Sequence, residues 1–360
     1  MRSSMTNATT RAGRAASARR SWPRAARLDA AFPVILSLSL LMAGACREAA
    51  HEAADTPVVL EVESVGNIPP GTLTLPNREL SVKFAIIGDS GRGSAEQHAV
   101  AAQMAAYQKL FDYRFVLMAG DNIYEGPATP EDYRLKFEAP YQALLDAGVQ
   151  FFAVLGNHDD PEQVHYRPFH MDGHRYYSFT PPVNLLARLQ TRVRFFALDS
   201  TNLDGDQVRW LEQQLARSTE EWKIALMHYP LYSSGRYTLQ ARRQRFTLEG
   251  PFVDGGIDLA FSGHEHIYQR SHLQNGILYF ITGGAGSLRA GDASPASSIA
   301  RSFDRDYHFM LAEISDEGFF FQAVDRTGHT VDAGTLRRAT PVTRTVPPAA
   351  STTTDTPARR

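Results

Sequence analysis

Five short apolar runs in this chain each stop at, or within a few residues of, a residue type that can ligate a metal ion, and that repetition limits the fold more than any other feature. Residues 115–119 are followed by Gly120-Asp121-Asn122-Ile123-Tyr124, which puts a carboxylate and a phenol just beyond a buried strand. Residues 82–87 lead to Gly88-Asp89-Ser90-Gly91, and residues 151–155 to Gly156-Asn157-His158-Asp159. Residues 224–227 lead to His228, and 257–261 to Gly263-His264-Glu265-His266. Helical patterns separate the runs. Ser94, with Gln97 at the capping-box position, starts a helix whose Val100, Met104, Tyr107 and Phe111 share a face. Thr129-Pro130-Glu131-Asp132 starts a second, which Pro140 should break and Gly148 should end. Residues 192–198 form a further strand, and Val208, Leu211 and Leu215 stripe the helix after it. Residues 277–282 add a strand, and 309–314 with 319–324 read as a hairpin. The alternation predicts α/β layers with at least part of the sheet parallel. Ligands of such sheets gather outside the carboxyl ends of the strands, so the five motifs should meet at one edge. A lone buried Asp or His is usually a satisfied core group or a cap, but that account needs five coincidences here.

With 43% hydrophobic and 21% charged residues, the 360-residue chain can bury one sizeable core. Its net charge of -2, with no basic stripe interleaved with aromatics beyond the N-terminus, argues against a nucleic-acid partner. Residues 1–46 read as an export signal: seven arginines against the single acid Asp29 precede an apolar run, 32–42, that is too short to span a bilayer and ends in Ala43-Gly44-Ala45. Arg19-Arg20 stands too far upstream of that run for a twin-arginine signal and reads as an ordinary basic region. Cys46, the only cysteine, resembles the lipid-modified cysteine of bacterial lipoproteins, although Ala43 stands where that family prefers Leu; cleavage after Ala45 is the alternative. Either route makes the protein extracytoplasmic, membrane-anchored through Cys46 or secreted/periplasmic. One cysteine allows no intrachain disulfide. Residues 47–80 read as a tether with a β-like run at 58–60. Residues 338–360 are too poor in large apolar side chains to offset chain entropy and read as a disordered tail.

Taken together, Gly-Asp-x-Gly (88–91), Gly-Asp-x-x-Tyr (120–124), Gly-Asn-His-Asp (156–159), His228 and Gly-His-x-His (263–266) resemble the purple acid phosphatase branch of the calcineurin-like metallophosphoesterases, most closely its short tartrate-resistant type. The resemblance covers residues 81–337, which it marks as the catalytic domain, with every block in order. It implies an α/β fold of two packed, mainly mixed β-sheets flanked by helices in a four-layer sandwich. It also implies two metal ions, Fe(III) and a divalent Fe, Zn or Mn. Asp89, Tyr124 and His266 would bind the ferric ion, Asn157, His228 and His264 the divalent ion, and Asp121 would bridge them. Most metallophosphoesterases carry Asp-x-His in the first block; Asp89-Ser90-Gly91 lacks that imidazole, and the Tyr124 phenolate in its place adds the negative charge a trivalent ion favours. Two cations about 3.5–4 Å apart clamp a phosphoryl group and acidify bound water.

The implied activity is hydrolysis of small phosphomonoesters, compatible with mildly acidic pH. The alternatives are a phosphodiesterase or nucleotide-sugar hydrolase on the same site, or a non-catalytic metal- or phosphate-binding lipoprotein, which the complete ligand set disfavours. His158 would contact the phosphoryl group or protonate the leaving alkoxide, oriented by Asp159; the plainer alternative is that it steadies the Asn157 loop. Nine residues after His228, where relatives commonly hold a second substrate-side histidine, stands Tyr237, preceded by Arg236. Both are substrate-binding candidates, Arg236 otherwise being an ordinary loop arginine. His165, His170 and His174 have no metal-site spacing and are expected at the pocket mouth or in solvent. Segments 160–185 and 232–250 carry no readable pattern.

Overall fold

The computed structural model describes residues 58–62, 68–183 and 192–338. The export signal with Cys46 and residues 339–360 of the tail lie outside the described residues. The chain runs β1 (Val58–Val62), β2 (Val82–Ile87), α1 (Ala95–Phe111), β3 (Phe115–Met118), α2 (Pro130–Tyr133), a π-helical turn (Arg134–Glu138), α3 (Ala139–Asp146), β4 (Gln150–Ala153), β5 (Tyr177–Phe179) and β6 (Val193–Ala197). It continues through α4 (Gly205–Arg217), β7 (Trp222–Leu226), α5 (Thr238–Gly255), β8 (Leu259–Ser262), β9 (Tyr268–Ser271), β10 (Leu278–Thr282), β11 (Ile299–Phe303), β12 (His308–Ser315), β13 (Gly318–Asp325) and β14 (Thr330–Arg338).

The strands form two seven-stranded sheets, ordered β1-β14-β13-β12-β2-β3-β4 and β11-β9-β10-β8-β7-β6-β5. Both are mixed: β2, β3 and β4 are parallel in the first, as are β6, β7, β8 and β10 in the second, with antiparallel strands outside them. The parallel strands therefore end at the same sheet edge, and the ends of β2, β3, β4, β7 and β8 carry the motifs. The inner faces pack through aromatic rings. Phe84 stacks on Phe115 at 5.2 Å and meets the edges of Phe195 and Phe261, from the other sheet, at 5.4 and 6.2 Å. Met104, Tyr107, Phe111, Phe137 and Tyr141 of the helices cover the outer face of the first sheet, and Leu211, Leu215, Leu248 and Phe252 cover that of the second. The result is the four-layer α/β sandwich.

Three local readings change. Pro140 does not break its helix. Its missing N–H frees the Lys136 carbonyl, the chain passes into α3 through the π-helical turn, and that carbonyl accepts from Gln97 Nε2 at 2.7 Å. Gln97 correspondingly completes only half of a capping box: its amide donates to Ser94 Oγ, while its buried side chain accepts from the Arg92 and Gly93 amides. Residues 238–255, unreadable in sequence, are helical. Only Ala241, Leu248 and Phe252 are buried, whereas Leu239, Phe246 and Val253 are exposed and Gly250-Pro251 mimics a break, so no amphipathic stripe is visible.

His308, at the start of β12, is fully buried between the ring edges of Tyr268 and Phe303, and its Nε2 has no hydrogen-bond partner among the described residues. Burial holds its pKa down at about 4, against 6.5 for the free side chain. The unfolded chain therefore takes the proton first as pH falls. Stability present above pH 6.5 should be lost progressively towards pH 4, by about 3 kcal/mol. Denaturant midpoints across that window should fall less steeply for His308→Phe than for the wild type. Parallel curves would exclude His308 as the source of acid sensitivity.

Candidate metal centre

All five motifs lie beyond the carboxyl ends of parallel strands: β2, β3 and β4 of one sheet deliver Asp89, Asp121, Tyr124 and Asn157, and β7 and β8 of the other deliver His228, His264 and His266. The turns needed to aim these side chains inward are tight. Asp89 (φ 54°), Asp121 (φ 52°) and His264 (φ 70°) occupy the left-handed region, a conformation that costs about 1–3 kcal/mol for a residue with a side chain and clusters at functional sites. Hydrogen bonds hold them there: the Asp89 amide donates to the Gly120 carbonyl, and the His264 amide donates to Asp89 Oδ2 at 2.8 Å. Gly120 (φ 84°) cannot be replaced, because a Cβ there would lie 2.5 Å from His228 Nδ1.

Two groups of donor atoms result. Tyr124 Oη lies 3.2 Å from Asp89 Oδ1 and 3.1 Å from His266 Nε2, and those two atoms are 3.3 Å apart. His228 Nε2 lies 3.0 Å from Asn157 Oδ1 and 3.4 Å from Asp121 Oδ1. Asp121 belongs to both, since ligand atoms of Asp89, Asp121 and His266 fall within 4.8 Å of one another. His264 stands beside the second group, its ring centroid 5.1 Å from that of His228 and its Nε2 bonded to Gln240 Oε1, which leaves Nδ1 as its free donor. These residues fit a pair of cations. His228 places Nδ1 2.8 Å from the Ala119 carbonyl, so its one neutral-state proton is committed there. In the neutral ring the Nε2 lone pair then faces the oxygens of Asn157 and Asp121, a repulsion that a proton on Nε2 or a cation among the three relieves.

Electrostatics agree. Burial pushes the Asp89 carboxyl well above its ordinary range, with the Asp121 charge adding to the rise and His228 opposing it. Burial also raises Asp121, but His228, the His158 amide and the Tyr124 hydroxyl outweigh it and leave that carboxyl below its usual range. Burial is the first cause that lowers His264 to about 3 and His266 to about 4, so both rings are neutral and ready to donate a lone pair. Burial and the charges of Asp89 and Asp121 hold the Tyr124 phenol protonated far above its ordinary range, a balance that a bound cation reverses.

The surrounding residues fall less uniformly. His158 is exposed at the mouth, its ring 5.0 Å from that of Tyr124 and its amide bonded to Asp121 Oδ1 at 2.9 Å. Asp159 is turned away from that ring and instead accepts from the amides of Asn122, Ile123 and Gly156, tying the β3 loop to the β4 loop. Tyr237 packs tilted against His264, their ring centroids 4.3 Å apart. The Arg236 guanidinium, more than half exposed, is paired with Asp292 at 3.1 Å. His170 Nδ1 lies 2.9 Å from the Phe151 carbonyl, while His165 and His174 are exposed.

Two neighbours had no sequence reading. Glu265 is buried, and its carboxylate accepts from Ser233 Oγ and from the amides of Arg236 and Tyr237, which fixes the loop carrying both substrate-side candidates. Arg92 lies with its guanidinium 3.5 Å from the Tyr124 ring centroid, where its charge favours phenolate. Both follow directly on motif residues, but nothing local foretells their partners, which lie tens of residues away in sequence.

The profile of the family described as calcineurin-like phosphoesterase matches residues 82–268. Purple acid phosphatase 17 of Arabidopsis thaliana is 29% identical over 247 residues, 60% of this chain and 72% of that protein. Tartrate-resistant acid phosphatase type 5 of Oryctolagus cuniculus is 24% identical over 284 residues, 70% of this chain and 86% of that protein. Among solved structures, purple acid phosphatase PPD1 from yellow lupin superposes with TM-score 0.57 at 19% identity, covering 73% of this chain and 54% of that one. GAP50, described as the anchor in the inner membrane complex of Plasmodium, superposes with TM-score 0.61 at 20% identity, covering 72% of this chain and 90% of that one. At such identities the superpositions establish the fold.

Proposed function

Because the chain belongs to the calcineurin-like phosphoesterase family, we propose that it is a purple acid phosphatase-like hydrolase of small phosphomonoesters with a binuclear metal centre. The observation that carries this reading is the pairing of the Asp89–Tyr124–His266 triangle with the His228–Asn157–Asp121 group. The first would hold Fe(III), the second together with His264 a divalent Fe, Zn or Mn, and Asp121 would serve both. When bound, such a pair supplies Lewis acidity to phosphoryl oxygens and acidifies water. The chain's own residues supply the rest. His158, whose ring is exposed while its amide is bonded to Asp121, would give a proton to the departing alkoxide. Tyr237, locked between Glu265 and His264, forms a wall against which the ester lies. Arg236 would reach a substrate only by releasing Asp292.

Tyr124 separates this reading from a site for two divalent ions. A phenolate on a ferric ion gives a visible charge-transfer band, so the oxidised protein should be coloured. Tyr124→Phe, which keeps the ring under Arg92 and removes only the oxygen, should bleach it and weaken the first position. A colourless, fully active wild type containing two divalent ions would overturn the metal assignment while leaving the ligands in place.

No described helix is long and apolar enough to cross a membrane. The arginine-rich leader and Cys46 support export followed by lipid anchoring or signal cleavage. Cys46→Ala should move the protein from the membrane fraction to the soluble one; unchanged partitioning would exclude the lipid anchor.

A further inference from the structure

A sixth strand end reaches the same edge. β10 runs into Gly283-Gly284-Ala285-Gly286-Ser287-Leu288-Arg289, and backbone bonds lay this loop across the motif loops: Ala285 N donates to the Gly88 carbonyl and Arg289 N to the His266 carbonyl at 3.0 Å. Arg289 is thereby fixed beside His266. Its guanidinium carbon lies 5.3 Å from the centroid of the Tyr237 ring, whose other contact is His264 at 4.3 Å.

Arg289 differs from the other arginines around the mouth in having nothing to neutralise it. Arg92 pairs with Glu125 at 3.5 Å and Arg236 with Asp292 at 3.1 Å, whereas Arg289 has no ion pair among the described residues, and its Nη1 is buried without a hydrogen-bond partner. A desolvated, unpaired guanidinium N–H is costly to maintain, and a tetrahedral oxyanion is the partner its planar fork matches. We propose that Arg289 binds a non-bridging phosphoryl oxygen of the substrate and selects phosphomonoester dianions over diesters. A monoester keeps one more charged oxygen than a diester, and that extra oxygen would turn to the fork. The aromatic face of Tyr237 holds the fork in place.

This inference rests on the phosphoester reading, and its test separates the two. Inorganic phosphate would be titrated calorimetrically into metal-loaded wild type, Arg289→Gln and Arg289→Lys, with metal content measured on each. Steady-state kinetics would be run on paired aryl mono- and diesters. With metal content unchanged, Arg289→Gln should weaken phosphate binding and raise the monoester KM by about 10- to 100-fold, the range for a hydrogen bond to a charged group, with the diester KM changed far less. Arg289→Lys, which keeps the charge without the fork, should fall between. Unchanged phosphate affinity in Arg289→Gln, or equal losses on both esters, would overturn the assignment. A wild type that hydrolyses no phosphoester would instead overturn the proposed function.

Discussion

Asp121→Ala is expected to empty both metal positions and to lower phosphoester turnover by at least about 10³-fold, the rate equivalent of the several kcal/mol that a bound cation contributes to charge stabilisation. Asp121 lies within reach of both donor groups, 3.4 Å from His228 Nε2 and within 4.8 Å of the ligand atoms of Asp89 and His266. It also anchors the His158 amide and stands at φ 52°, where alanine is less comfortable than aspartate. Asp121→Asn therefore accompanies it. Asparagine tolerates the left-handed turn and can still accept from His158, so it removes the charge and little else. If the charge matters, both variants lose metal and activity together in elemental analysis and single-turnover assays. Two ions retained with normal rates in either would refute the shared role.

His158→Ala should separate what Asp121→Ala couples. Only the amide of His158 bonds to Asp121, so truncating its exposed ring leaves that bond in place, and metal content should hold. Turnover should drop by about 10²- to 10⁴-fold, the usual range for a lost general acid. The drop should shrink as the leaving group becomes more acidic, because a phenolate that departs unaided has no use for the proton. The readout is the slope of log kcat against leaving-group pKa, steeper in the variant. An equal loss across all leaving groups, or loss of metal, would reassign His158 to steadying the Asn157 loop.

The strand ends were legible because their information is local. An apolar run of strand length, a glycine and a ligand-type side chain are contiguous, and parallel pairing brings such ends to one edge without further instruction. β9 was not legible: Tyr268, Gln269 and Arg270 look like a surface segment, yet all are buried, with Tyr268 and Arg270 both bonded to Asp332 more than sixty residues away. α5 was hidden by the reverse effect, large apolar residues left on its exposed face. Glu265, Arg92 and Arg289 belong to the same class as β9, since each acts through a partner that only the folded chain supplies. For Arg289 one signal was present, the glycine-rich segment directly after the apolar run 277–282, which the rule applied to the other five runs would have included.

The donor atoms are divided between the two sheets: Asp89, Asp121, Tyr124 and Asn157 come from one, His228, His264 and His266 from the other. Neither layer by itself presents a full coordination set, so ion affinity would exist only while the layers are closed on each other. Metal supply then enters the thermodynamics of unfolding as a linked ligand, with each tenfold excess over the dissociation constant adding about 1.4 kcal/mol against separation of the layers. In a chain without disulfides, the ions would act as reversible cross-links, and resistance to denaturation would rise and fall with the metal content of the surroundings.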